Sequence, residues 1–143
     1  MISHRGNLCG PDTEKENHPL YIMKAMKLGF DVEVDVWDYN GKIYLGHDKP
    51  QHRCDLKFLK NKKLWCHAKN LLALNTMLSN DIHCFWHQQD DFTLTSRGFV
   101  WTFPNQNLTS RSICVMPEKC NHNHDDLKIV AGICSDFIKD YTT

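Results

Sequence analysis

The amino-acid sequence predicts an α/β domain with a largely parallel sheet. Strand-like segments alternate with segments of helical period in the first half of the chain. Asp31-Val32-Glu33-Val34-Asp35-Val36-Trp37 is a strict period-two strand. Polar residues gather at the C-terminal ends of the strands, where parallel α/β proteins place their sites.

Taken in order, Met1 to Asn7 is a short strand ending in His4-Arg5-Gly6, and Gly10-Pro11 opens a polar loop that runs to Glu16. Asn17 is the expected helix cap, with Pro19 in the first turn. Ile22, Ala25, Met26 and Gly29 follow at i, i+3, i+4 and i+7, and Gly29 is a natural stop. After the acidic strand, Asn40-Gly41 predicts a two-residue hairpin turn, and Lys42 to Leu45 return to Gly46-His47-Asp48. A short helix is expected over Asp55 to Lys60. Leu64 to Asn70 reads as a strand with Trp65, His67 and Lys69 on one face. Leu71, Leu74 and Leu78 form a helical stripe ended by Asn80-Asp81. Four apolar runs follow: Ile82 to His87, Phe99 to Phe103, Ser112 to Met116, and Ile129 to Phe137.

At 143 residues the chain makes one domain, 1–143, with room for a core. Its formal charge is zero and no basic run appears, which argues against a nucleic-acid partner. No apolar run reaches the roughly 20 residues of a membrane span, and no signal peptide precedes Ser3-His4. The seven cysteines show no paired framework, and Cys66, Cys84, Cys114 and Cys134 lie in apolar runs. Free thiols and a reducing, cytoplasmic location are therefore expected.

In the acidic strand, Asp31, Glu33 and Asp35 share one face while the valines share the other. Buried carboxylates need a counter-charge, and a divalent cation held by Glu33 and Asp35 supplies one. The alternative is an edge strand with a solvated acidic face.

His-Arg-Gly on the first strand, Glu-x-Asp on the second and Gly-His-Asp after the hairpin together resemble the glycerophosphodiester phosphodiesterase family. Asn17-x-Pro19 with Ala25 and Gly29, His67-Ala68-Lys69, and Gly132-Ile133-Cys134-Ser135-Asp136 extend the likeness. It is dense over residues 3 to 70, returns at 129 to 138, and is thin between. The resemblance implies a TIM-type (β/α) barrel of the phospholipase C kind and metal-dependent hydrolysis of a glycerophosphodiester-like small molecule. It makes His4 and His47 the general acid and base, gives the phosphate to Arg5 and Lys69, and gives Glu33 and Asp35 a metal, Mg²⁺ or Ca²⁺ before Mn²⁺. Asp136 would join His4, Glu33, His47 and Lys69 around one end.

Two departures stand out. His67 occupies the place where the family shows a glutamate, so His67 or Glu118 would be the third metal ligand. The chain is also far shorter than the roughly 250 residues of a full barrel. A reduced barrel follows, with helices replaced by turns and an exposed wall that a second copy could cover as a homo-oligomer. A binding module for phosphorylated ligands on the same barrel is the competing reading. Phe85 to Asp91 offers substrate contacts, with His87 expected in a loop. Cys120 to Asp126 is read as a solvated loop whose spacing matches no zinc site.

Overall fold

The computed structural model describes residues 1–142, and within them a mixed α/β domain is organised around one curled sheet of ten strands. The hub is β2 (Asp31–Tyr39), which follows β1 (Ile2–His4) and α1 (Pro19–Lys27). Its first residues pair in parallel with β1, placing His4 beside Glu33. On the other side, β5 (Leu64–Ala68) pairs in parallel and places His67 beside Asp35. The end of β2 turns through Asn40-Gly41 into the antiparallel β3 (Lys42–Leu45), β4 (His52–Cys54) pairs antiparallel with β3, and the short expected helix α2 (Leu56–Leu59), capped by Asp55, follows. Asn40 and Gly41 both have positive φ (53° and 72°), as the expected hairpin turn requires.

β6 (Cys84–Phe85) extends the parallel run beyond β5. On the far side of β1 come β10 (Gly132–Ser135), β9 (Ser112–Val115) and β8 (Val100–Thr102), all parallel. β7 (Phe92–Leu94) hangs antiparallel on β8. Among the described residues no ladder joins β6 to β7 or β8. The curl brings these ends together regardless: the Phe85 and Trp101 ring centroids are 4.6 Å apart. Ile2, Trp65, Phe85, Trp101, Ile113, Val115 and Cys134 form one buried cluster inside the curl, drawn from six strands.

The outer face carries the larger core. Val32, Val34 and Val36 are fully buried there with Ile22 and Ala25 of α1. The valine face predicted from the alternation is therefore the helix-packing face, and the carboxylate face points inward. α3 (Leu71–Ser79) buries Ala73 and Met77 and leaves Leu71 and Leu78 exposed. That corrects the expected Leu71/Leu74/Leu78 stripe: Asn70 caps the helix and bonds the main chain of Asp38, which turns the small side of the helix to the sheet.

Asn17 is not the cap of α1 either. The cap is His18, whose Nδ1 accepts from the Leu20 amide at 3.2 Å, while Asn17 takes φ 62° and turns to β2. Gly29 (φ 99°) ends the helix as expected. Past β6 the links are short: the β7–β8 hairpin, a 3₁₀ turn (Pro117–Lys119), and α4 (His124–Lys128) before β10. Turns and short links stand in place of most helices of the second half, and α4 begins inside the Cys120–Asp126 segment that was expected to be a solvated loop. No described helix is long and apolar enough to cross a membrane.

Candidate functional site

The C-terminal ends of β1, β5 and β10 deliver His4, His67, Lys69 and Asp136 to one end of the curl, and the register of β2 sets Glu33 beside His4 and Asp35 beside His67. A cavity of about 720 Å³ opens there, lined by His4, Arg5, Glu33, His47, His67, Lys69, His87 and Asp136 among others. His4 and His47 thus share one cavity. His47 sits on its rim, with Nδ1 2.7 Å from Asp48 and nearly half of its side chain exposed.

His4 is the most constrained group. Its Nδ1 is 2.7 Å from Asp136 Oδ1, so the carboxylate accepts that N–H and leaves Nε2 directed toward Glu33 Oε2, 3.8 Å away. Burial alone would lower the His4 pKa. The hydrogen bond to Asp136 and the negative charge of Glu33 outweigh it and hold the ring above its usual value. The opposite holds at Asp136: burial opposes ionisation, but the bond from His4 lowers its pKa. Asn7 Nδ2 donates to the same Asp136 oxygen at 2.7 Å and to Glu16 at 2.9 Å.

Glu33 and Asp35 behave differently, although both come from the same face of one strand. Glu33 is 2% exposed, reaches the cavity, and its Oε2 is buried with no hydrogen-bond partner. Burial, then the charge of Asp35, raises its pKa. Asp35 lies beneath the cavity floor, wholly buried, amid polar partners. Asn17 donates to its Oδ2 at 2.9 Å and accepts from its amide, also at 2.9 Å. Arg5 Nε is 2.9 Å away, His67 Nδ1 3.2 Å and Lys69 Nζ 3.6 Å. Burial would raise the Asp35 pKa, but the His67 contact and the charge of Arg5 lower it far below the usual carboxylate range.

His67 completes this group. Its Nε2 faces the His87 carbonyl oxygen at 3.4 Å, so the proton on that nitrogen is donated there. Nδ1 then looks at two carboxylates, Asp35 at 3.2 Å and Glu33 at 3.9 Å. A lone pair facing two carboxylates is repulsive, and a proton or a metal ion on Nδ1 relieves it. Ligand atoms of Glu33, Asp35 and His67 all lie within 4.8 Å of one another. The orphaned Glu33 oxygen and the His67 Nδ1 together fit a divalent cation.

The expected third-ligand alternative, Glu118, is elsewhere. It accepts from Ser135 Oγ at 2.8 Å and from the Asp136 amide at 3.2 Å, bracing the end of β10. Arg5 lines the cavity, but its Nη1 is shared with Glu16 at 3.3 Å in addition to the Asp35 pairing, which leaves Nη2 for a ligand. His87 lies in the loop after β6, as expected, and from there it lines the cavity. Asn7, Glu16 and Asn17 were missed as site residues. Asn17 read as a helix cap, and nothing in the spacing of Asn7 and Glu16 set them apart from loop residues. Comparison of the chain with known protein families, with curated proteins and with solved structures gives no match.

Proposed function

We propose that the chain is a metal-dependent phosphodiester hydrolase acting on a glycerophosphodiester-like substrate, on a shortened barrel of the phospholipase C-like kind. The observation that supports this best is His4: an imidazole fixed by a buried carboxylate at 2.7 Å, with its other nitrogen aimed at the acidic floor of a cavity. Asp136 fixes the tautomer and favours the protonated ring, as the carboxylate does in other acid–base histidines.

In this reading the phosphate sits over Lys69 and the free Nη2 of Arg5, which balance its charge. Glu33 and His67, with Asp35 behind them, would hold the cation, which supplies Lewis-acid stabilisation of the charge that develops on phosphate oxygen. His4 Nε2 carries a proton on one side of the phosphorus. His47, which lines the same cavity, would carry it on the other, so one ring accepts as the nucleophile forms and the other donates to the leaving alcohol. Arg5 stays charged: burial opposes this, but Asp35, Glu33 and Glu16 raise its pKa.

One observation favours the second reading, a phosphate-ligand-binding module without turnover: Asp35 already holds Arg5 and Lys69 as partners. The deciding experiment is hydrolysis of a panel of glycerophosphodiesters and a chromogenic phosphodiester with Mg²⁺, Ca²⁺ or Mn²⁺, comparing wild type with Glu33→Gln. Metal-dependent turnover that Glu33→Gln abolishes supports the enzyme. Binding of glycerol phosphate without hydrolysis under any metal replaces it with the binding module.

A further inference from the structure

On the outer side of β9, away from the cavity, three soft donors meet. Cys114 is buried on β9, Cys120 follows the 3₁₀ turn and His122 lies two residues on, with ligand atoms all within 4.8 Å of one another. The strand alternates: Ile113 and Val115 enter the inner cluster, so Cys114 faces the other way, where the chain returns. We propose that Cys114, Cys120 and His122 form a second, zinc-type metal site that clips the turn after β9 to its strand.

Three features carry this. The first is distance: thiolate and imidazole ligands of a tetrahedral zinc ion stand about 2.0–2.3 Å from the metal and hence roughly 3.5–3.8 Å from one another. From the 4.8 Å limit, a contraction of about 1.3 Å at most brings these atoms to that spacing.

The second is the state of His122. Its Nε2 is buried and without a hydrogen-bond partner, while Nδ1 lies 3.9 Å from Asp126 Oδ2. An orphaned ring nitrogen opposite one that faces a carboxylate is the arrangement of metal-bound histidines, whose outer N–H is oriented by an acid. Asp126 is itself fixed, because Oδ2 accepts from the Asn123 amide at 3.0 Å in the capping box of α4.

The third is charge: two thiolates and a neutral imidazole around a divalent ion sum to zero, which suits a half-buried position.

The consequence would be local. The clipped turn begins at Met116, a non-glycine residue at φ 49°, and ends beside Lys119. Met116 and Lys119 both line the cavity on the other side of the strand. The metal would hold this wall of the cavity in place; a fourth, water-bound position completes the tetrahedron.

The test uses the full chain, reduced and stripped of metal with a chelator, then titrated anaerobically with Co²⁺ alone. A thiolate-to-cobalt charge-transfer band that rises to saturation as Co²⁺ is added and is lost on adding Zn²⁺ is the expected result. The Glu33–Asp35–His67 group contains no sulfur, so Glu33→Gln leaves this band intact whether or not that group binds metal. Cys120→Ser and His122→Ala should each weaken Co²⁺ binding at least tenfold. Both positions are only half-buried, and circular dichroism is the check that the variants fold. The proposal is overturned by a folded chain that gives no charge-transfer band, by a band unchanged in both variants, or by a Cys114–Cys120 disulfide in place of two titratable thiols.

Discussion

His67 and His87 stack face to face, with ring centroids 4.5 Å apart and planes within 3° of parallel. Phe85 is also nearly parallel, 5.1 Å from His67 and 6.1 Å from His87. The His67 imidazole is thus one of three parallel rings packed together, and the other two set its plane. Burial, then the charges of His67 and Lys69, push the His87 pKa down to about 4, so His87 is a neutral wall at physiological pH. This packing orients His67 Nδ1, and the first test concerns that nitrogen.

His67→Ala should lower the affinity for Mn²⁺ at least tenfold by isothermal calorimetry, since one of three donors is lost. His67→Glu should keep the cation and shift preference toward Mg²⁺ and Ca²⁺, which favour oxygen. Equal Mn²⁺ affinity in wild type and His67→Ala would remove His67 from the ligand set.

His4→Ala and His47→Ala should each cut kcat by roughly 10²–10⁴ with glycerol phosphate binding nearly unchanged, as expected for proton carriers. Asp136→Asn keeps a hydrogen-bonding side chain but loses the charge that raises the His4 pKa. Its pH–rate profile should therefore shift on the His4 limb to lower pH. A His4→Ala variant with wild-type turnover would remove His4 from the mechanism.

Asn17→Gly separates side chain from backbone. Glycine accepts the positive φ at this position at little steric cost, so the loss reflects the two hydrogen bonds to Asp35. With a buried carboxylate left short of a donor, destabilisation of about 1–3 kcal/mol is expected in urea unfolding. A change below a few tenths would mean that water replaces the amide.

Trp101→Ala empties the meeting point of the sheet's ends, where Trp101 is 5% exposed against Phe85. Large-to-small changes of this kind cost about 3–5 kcal/mol, and chemical denaturation should report it together with lost ellipticity at elevated temperature. Leu94→Ala, at an exposed position on the neighbouring β7, should stay within about 0.5 kcal/mol.

His83 gives the pH test of stability. Burial, then the nearby Arg97 charge, lower its pKa from 6.5 to about 4. Between these values the unfolded chain binds a proton that the folded chain refuses. Stability from this group is therefore complete above pH 6.5, declines as pH falls, and is gone below about 4. His83→Gln can keep a hydrogen bond to Thr95 without titrating. Its urea midpoint should fall less steeply than that of wild type across this window, and parallel slopes would refute the assignment.

What the sequence disclosed and what it withheld divide along physical lines. The alternation of β2 announced both faces because period two is unambiguous when every second residue is valine. Asn40-Gly41 announced its turn because positive φ selects those residues. His4, His67 and Lys69 could be grouped from their places at strand ends, and Glu33 from the alternation of β2. The α3 face was misread because Leu71, Leu74 and Leu78 are greasier than Ala73 and Met77, and small residues win where a helix packs closely on a sheet. Asn17 was misread because a cap and a carboxylate clamp use the same side chain. Cys114 with His122 escaped notice since their meeting depends on a turn that reverses the chain, not on a spacing. Glu118 ended in a bracing role because the 3₁₀ turn directs it at β10 and away from Glu33.

The junction of β1 with β10 has a bearing on how the molecule is made. His4 and Asp136 are 132 positions apart, so their strands can pair only after nearly the whole chain is available. Closing a loop of that length costs roughly 4 kcal/mol of chain entropy beyond a constant, and contacts of such separation slow folding. β2, β3 and β5 can assemble early, nucleated by the hairpin at Asn40-Gly41, while β1 waits with one side unpaired. The last strand to dock is the one that carries the carboxylate orienting His4. Assembly of the His4–Asp136 pair is thereby tied to completion of the fold, and a chain stalled before β10 has a sheet but no carboxylate on His4 Nδ1.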